Sequence, residues 1–125
     1  MLQILRQEEK DNYIDLIRSL GIDPDTALIS EAVDSGKVTG YAVYTLTPEE
    51  ISVYCVEPEA DLVLWDGIAR SILFSAVLKG VETARFFGSA NNNAKMLRFI
   101  EPGSDELRPI SKIFEGCKDC KHAKE

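Results

Sequence analysis

The chain has 125 residues, 45% of them hydrophobic and 28% charged, which is enough to form one compact domain without metals or disulfides. Its formal net charge is −7, and its Lys and Arg residues are scattered, so a nucleic-acid backbone is excluded as an expected partner. The acidity would favour a cationic, amine-bearing partner, although solubility alone is the commoner reason for an acidic composition.

The N-terminal residues, MLQILRQEEK, contain no long apolar stretch behind a basic start, so we expect a cytoplasmic protein without a signal peptide. Residues 62–78 form the most apolar segment, but Asp66, Arg70 and two serines interrupt it and it is short for a membrane span. A buried core helix fits better, and no membrane contact is expected. An odd number of cysteines, three, argues against a secreted disulfide framework.

The first half of the chain predicts one helix and a three-stranded meander. Residues 6–20 carry apolar side chains at helical spacing and stop at Gly21, while residues 2–5 fit either a short strand or a lead-in. The segments ALISEAV and VTGYAVYTL flank a hairpin turn at residues 34–37, and ISVYCV follows the break at residues 47–50. Strict alternation would place Ile51, Val53 and Cys55 on one face of that last strand.

The second half predicts a buried helix, a strand and another helix. The apolar run after Asp61 ends at Gly80, and within it Gly67, Ser71 and Ser75 form a row of small residues for close packing or for a ligand. Residues 81–87 predict a short strand reached by a right-handed crossover. Residues 88–93 predict a polar loop that caps a helix ending near residue 99, and residues 110–114 fit one more strand.

In this order, and with GKVTGYAVYTL, VYCVEP, DGIARSIL and NNNAKMLRF, the chain resembles the GNAT family, the Gcn5-related N-acetyltransferases, over residues 7–99. The resemblance implies an α/β (α+β) fold, a mixed and mostly antiparallel sheet with helices on both faces. Residues 1–116 would form this single domain, and residues 117–125 a polar tail. It also implies an acyl-CoA cofactor, whose pantetheine arm would lie beside the backbone of Cys55, Val56 and Glu57.

The resemblance further implies a pyrophosphate loop at residues 66–69, with Asp66, Gly67, Ile68 and Ala69 as cofactor contacts. Leu64 stands where the family usually has Gln or Arg, and the Asp66 carboxylate is electrostatically unfavourable there. A second interpretation starts the helix at residues 60–62 with Asp61 as its cap, and moves any cradle to residues 59–63. Continuous helical periodicity and the i, i+4 spacing of Asp66 and Arg70 favour this second interpretation.

The resemblance names Glu57 as the candidate catalytic base, with Glu49 or Glu50 as less favoured alternatives, although each also fits an ordinary solvated glutamate. Asn91 and Ala94 match an Asn-x-x-Ala step, where the asparagine would contact the cofactor or merely cap the helix. All four tyrosines precede residue 62, so the family's usual tyrosine acid on the last helix is missing. Cys55 could return the proton but fits a core residue better.

The C-terminal Cys117, Cys120 and His122 form a C-x2-C-x-H pattern, which supplies three of the four ligands that a zinc ion usually takes. His122 is the sole histidine, so a catalytic triad with a histidine base is not expected. An unremarkable polar tail explains the same residues more simply.

These observations predict an acetyl-CoA- or other acyl-CoA-dependent N-acyltransferase with a small-molecule amine as acceptor. The alternative is a catalytically inactive binding or dimerisation module of the same fold, a homodimer that uses the open sheet edge. A zinc ion on the C-terminal tail is a variant of this alternative.

Overall fold

The structure, a computed structural model, describes residues 2–114. Six strands form one sheet in sequential order, with antiparallel neighbours except for the parallel pair β4 and β5. The elements are β1 (Leu2–Gln7), a 3-10 helix (Asp11–Tyr13), α1 (Ile14–Ser19), β2 (Leu28–Asp34), β3 (Lys37–Leu46), β4 (Ile51–Glu57), α2 (Leu62–Leu78), β5 (Ala84–Phe86), α3 (Gly88–Met96) and β6 (Glu106–Leu107). The meander, the buried central helix and the mixed sheet predicted from the sequence are therefore present.

Several boundaries differ from the predictions. Residues 6 and 7 continue β1 by pairing with β2, so the helix predicted for residues 6–20 reduces to the 3-10 turn and α1. The strand predicted for residues 81–87 keeps only its centre. Residues 88–93 belong to α3 itself, which begins after Phe87 without a side-chain cap. The strand predicted at residues 110–114 is wrong, because the partner of β5 is β6, earlier in the chain.

The two sheet faces carry separate apolar clusters. The α2 face holds the larger cluster, in which Trp65, Ile68 and Leu73 are fully buried against the sheet. The α1 face holds a smaller cluster around Ile17 and Ile29. Helices therefore cover both faces, because each face of the central strands is apolar. No helix within residues 2–114 is long and apolar enough to cross a bilayer.

The row of small residues on α2 does not act as a unit. Gly67 is exposed, and a β-carbon placed there would meet no atom within 4 Å, so close packing does not require this glycine. Ser71 and Ser75 instead line a cavity of about 210 Å³ that also touches β1 and β2.

Candidate functional site

The strands β4 and β5 separate after only three paired residues. Ile51 to Val53 pair with Ala84 to Phe86, and the last hydrogen bond between the two segments runs from the Phe87 N–H to the Val53 carbonyl oxygen at 2.9 Å. The chain then turns into α3 at Gly88, whereas β4 continues to Glu57. The end of β4 therefore lacks a neighbouring strand on the β5 side, and the stacked rings of Tyr54 and Phe87, with centroids 5.1 Å apart, lie at the point of separation.

An extra residue in β4 changes which side chains face α1. Val43 lies opposite Cys55 and Tyr44 lies opposite Val53, so Tyr54 is a bulge residue without a partner of its own. The bulge shifts the alternation by one position. Cys55 consequently belongs to the α1-face cluster and Val53 to the α2-face cluster, which corrects the prediction that the two share a face.

A cleft of about 450 Å³ opens on the α1 face at the C-terminal end of β4. Its lining comes from the turn before α1, the start of β3 and the end of β4: Tyr13, Val38, Thr39, Gly40, Tyr41, Glu57 and Pro58. The rings of Tyr13 and Tyr41 lie 5.0 Å apart at 54°, and the Tyr13 hydroxyl donates to a Glu31 carboxylate oxygen. The α1-face cleft therefore combines aromatic walls with the Glu57 side chain, and Glu31 is hydrogen-bonded to the Tyr13 wall.

Absence of a side chain at Gly40 makes this corner possible. A β-carbon there would lie 2.5 Å from the Glu57 carbonyl oxygen and 2.9 Å from Ile68 Cδ1. β3 can approach the end of β4 and α2 this closely only because residue 40 is a glycine. Gly40 thereby fixes the position of Glu57.

Burial in and beside the α1-face cleft raises the pKa values of three side chains, Glu57, Tyr41 and Cys55. Burial, and then the neighbouring Glu59, raise the pKa of Glu57, although a hydrogen bond from the Glu59 N–H partly opposes this. Burial raises the pKa of Tyr41, with further contributions from Cys55 and Glu57. Burial also raises the pKa of the Cys55 thiol to about 11, so the thiol is protonated at neutral pH.

The alternative bases lie elsewhere. Glu50 accepts bonds from Arg85 Nε at 3.1 Å and from the Ser52 hydroxyl at 3.0 Å, at the opposite end of β4. Glu49 is exposed in the preceding turn. Only Glu57, of the three glutamates considered, lines the α1-face cleft.

The helix α2 begins at Leu62, as the second interpretation predicted. The Asp61 carboxylate caps it by accepting the Leu64 N–H at 3.1 Å. Within residues 2–114, the N–H groups of Leu62 and Val63 have no acceptor, and Val63 is 85% exposed. These two N–H groups, at the first turn of α2, are the helical part of the predicted cradle at residues 59–63.

Residues 66–69 do not form a phosphate loop. They lie in the second turn of α2, where backbone N–H groups bond to carbonyls one turn earlier. Asp66 pairs with Arg70 at 3.0 Å, and Ile68 and Ala69 are fully buried. The free backbone N–H groups through which Asp66, Gly67, Ile68 and Ala69 were predicted to bind a diphosphate are therefore absent, because α2 starts four residues earlier.

The asparagines of α3 connect elements rather than cap the helix. Asn91 donates through Nδ2 to the Phe86 oxygen at 3.1 Å and to the Ser104 oxygen at 3.4 Å. The buried Asn93 donates to the Glu59 oxygen at 3.0 Å, which joins α3 to the loop between β4 and α2. Asn91 is therefore engaged within the protein, and Asn93 spans the gap at the end of β4.

The fit to acyl-CoA differs between its two halves. The unpaired end of β4, where Val56 and Glu57 lie, offers an extended backbone for a pantetheine arm. At the start of α2, two free N–H groups suit a phosphate, but Asp61 and Glu59 lie beside them and no Lys, Arg or His occurs from Val38 to Ala69. The site therefore offers an extended strand end to the arm and two backbone N–H donors to the diphosphate.

The zinc ligands predicted from the sequence, Cys117, Cys120 and His122, lie outside the described residues. Within residues 2–114, no group of three or more His, Cys, Asp or Glu side chains could hold a metal ion.

Tyr13 and Tyr41 line the cleft, although neither was predicted from the sequence as a site residue. Register could have indicated Tyr41, because the predicted meander pairs the start of β3 with the end of β4, and the structure pairs Tyr41 with Glu57. Tyr13 had no comparable signal, since its position depends on how the short α1 docks on the sheet.

This arrangement, a sequential mixed sheet whose parallel pair separates above a buried helix, defines an acetyltransferase type of fold. Solved structures agree. The Escherichia coli ribosomal-protein-S18-alanine N-acetyltransferase gives a TM-score of 0.60 at 13% identity, over 87% of this chain and 94% of that chain. YhhK from E. coli, solved with coenzyme A bound, gives a TM-score of 0.55 at 17% identity, over 86% of this chain and 98% of that chain. A GNAT-family acetyltransferase from Streptococcus pneumoniae gives 0.51 at 15% identity, over 78% and 84%.

The chain thus has the GNAT fold, and the resemblance seen in its sequence is confirmed at the level of fold. No protein-family model matches the sequence, and the search of curated proteins gives no significant match.

Proposed function

We propose that this protein is an acyl-CoA-dependent N-acyltransferase that acts on a small amine in the α1-face cleft. The observation that carries the proposal is the position of Glu57. It ends β4 where that strand has separated from β5, and its carboxyl lines the cleft. The fold shared with a coenzyme A-bound neighbour supports a cofactor beside the same strand.

Glu57 is suited to act as the base. An amine must lose a proton as its nitrogen forms the new bond to carbon, and a carboxylate with a raised pKa accepts that proton at a smaller free-energy cost. When bound, acyl-CoA supplies the acyl group as a thioester. The Glu57 carboxylate then holds the proton that the amine releases.

Tyr41 is the best candidate to return a proton to the leaving sulfur. It is the cross-strand neighbour of Glu57, and its raised pKa keeps the hydroxyl protonated at neutral pH. Cys55 is also protonated, but its side chain is only 7% exposed. Proton delivery by Tyr41 therefore replaces the tyrosine that the family usually carries on the last helix.

Two measurements test the proposal. Acetyl-CoA should raise the melting temperature in a concentration-dependent way, because a ligand that binds only the native state stabilises it. Acetyl transfer to a panel of amines, followed by mass spectrometry, should fall by about 100-fold or more in Glu57→Gln. Glu49→Gln, a change at an exposed glutamate in the turn before β4, is the matched control and should retain full activity. Absence of any melting shift at millimolar acetyl-CoA, or equal rates for the two variants, would contradict the proposal.

One observation favours a second function, a binding module that has lost the chemistry. The Asp61 carboxylate takes a helix N–H that a diphosphate would use, and Glu59 adds a second negative charge nearby. This alternative predicts no acyl-CoA binding and a stable dimer through the exposed edge of β1. Analytical ultracentrifugation together with the melting series separates the two functions.

A further inference from the structure

Three side chains form a row across the α1 face of the sheet. Glu31 on β2 lies opposite Tyr41 on β3, and Tyr41 lies opposite Glu57 on β4. Side chains of directly opposite residues project from the same face, so all three project toward α1. With strands about 4.8 Å apart, the Cα atoms of the two glutamates are separated by about 10 Å, with the Tyr41 ring between them.

Aromatic surface connects the two carboxylates. The Tyr13 hydroxyl donates to Glu31, and its ring packs against the ring of Tyr41. Ring faces carry a negative quadrupole, so the tyrosines and both carboxylates attract the same kind of ligand, an organic cation. A carboxylate also has several acceptor positions, which leaves Glu31 capacity beyond the Tyr13 bond.

Among the described residues, no basic side chain lines the α1-face cleft, where it could balance a carboxylate on the ligand. The continuous segment from Val38 to Ala69, which forms most of the cleft walls, contains no Lys, Arg or His. Lys10, near α1, donates to the carbonyl oxygens of Pro24 and Ala27, at 2.6 and 2.8 Å. Lys37, at the start of β3, lies opposite Asp34 in the hairpin. A ligand carboxylate would therefore be desolvated beside like charges.

We infer that the α1-face cleft selects small aliphatic diamines, and that it rejects amino acids and other amines that carry a carboxylate. One ammonium group binds near Glu31 and the tyrosine rings, and the second amine lies at Glu57. That the amine at Glu57 is then acylated rests on the proposed function, whereas the selection of a dication rests on the cleft alone.

Three matched ligands test the inference on the full-length protein without acyl-CoA, by following the tyrosine ring signals in NMR titrations. The ligands are 1,4-diaminobutane, ornithine, which adds a carboxylate to it, and butylamine, which lacks the second amine. The diamine should bind about five- to tenfold more tightly than either of the others, the size of one partly screened charge interaction. Its three- and five-carbon homologues show which spacing fits best.

Variants locate the effect. Glu31→Gln should remove the preference for the diamine over butylamine, and Glu49→Gln should leave that preference intact. Ornithine binding as tightly as the diamine, or a diamine no tighter than butylamine, would overturn the inference even if every variant fails to fold, because both comparisons use the wild-type protein.

A separate acetyl-CoA titration distinguishes this inference from the proposed function. Acetyl-CoA binding without a diamine preference rejects the substrate class alone. A diamine preference without acetyl-CoA binding rejects the acyltransferase and retains the cleft as a site for organic dications.

Discussion

Two glycine-to-alanine substitutions should change stability in opposite directions. At Gly40, the new methyl group would lie 2.5 Å from the Glu57 carbonyl oxygen, 2.9 Å from Ile68 Cδ1 and 3.1 Å from Pro58 Cδ. The closest contact is backbone, so β3 or the end of β4 must move. Overpacking of this kind costs about 1–3 kcal/mol, and we expect Gly40→Ala to lie in the upper half of that range.

At Gly67, the same methyl group would enter open space on an exposed turn of α2. Alanine in a helix interior is more favourable than glycine by about 0.8–1.0 kcal/mol. Gly67→Ala should therefore stabilise the protein by about that amount. Because the chemical change is identical at the two positions, each variant is the control for the other.

Urea unfolding followed by far-UV circular dichroism measures both effects. With a slope of about 1–3 kcal/mol per molar urea, a loss of 2 kcal/mol lowers the midpoint by about 1 M. A neutral Gly40→Ala would show that the corner at Glu57 is not tightly packed. A destabilised Gly67→Ala, or one with weaker acetyl-CoA binding, would show that residues 66–69 contact something after all.

Three further predictions concern single side chains. Asp61→Ala should lower the stability by about 1 kcal/mol, because α2 loses its cap. Asp61→Asn keeps a hydrogen-bond acceptor and the stability, and should bind acetyl-CoA more tightly because a negative charge is removed. Equal acetyl-CoA affinity in Asp61→Asn and wild type would show that no phosphate lies at the start of α2. Since the pKa of Glu57 is raised on folding, the stability of the wild-type protein falls as the pH rises through that pKa. Glu57→Gln should therefore be more stable than wild type at pH 7, by less than about 1 kcal/mol because solvent screens the charge, and should have no advantage below about pH 4. Thermal melts at the two pH values measure this, and a Glu57→Gln variant less stable than wild type at pH 7 would contradict it. In a variant with Cys117 and Cys120 changed to Ser, Cys55 should react with iodoacetamide at pH 8 about 100-fold more slowly than an unperturbed thiol, and its reaction rate should rise toward pH 11. A labelling rate of the folded protein equal to the rate in urea would refute the burial of Cys55.

Elements with strong periodicity were predictable from the sequence. The meander followed from period-two segments separated by turn residues, and the start of α2 followed from Asp61 and unbroken helical spacing. The choice between the two possible starts of α2 also decided whether Gly67 belongs to a phosphate loop or to the interior of the helix. A local signal was sufficient in each case.

Features that depend on a bulge, on edge-strand pairing or on helix docking were not predictable. The bulge at Tyr54 carries no turn residue, yet it moves Cys55 to the α1 face and brings Glu57 into the cleft beside Tyr41. Residues 6 and 7 look helical by composition but are held in β1 by pairing with β2. Tertiary pairing overrode local preference at both positions.

The hydrogen bond from the Asn93 side chain to the Glu59 carbonyl oxygen joins α3 to the loop that follows β4. A ligand that separates α3 from this loop must break that hydrogen bond, which uses part of the binding free energy of the ligand. The two side-chain amide NMR signals of Asn93 would report whether a ligand breaks this hydrogen bond. Such a ligand binds only if its contacts with β4 offset the loss of this hydrogen bond.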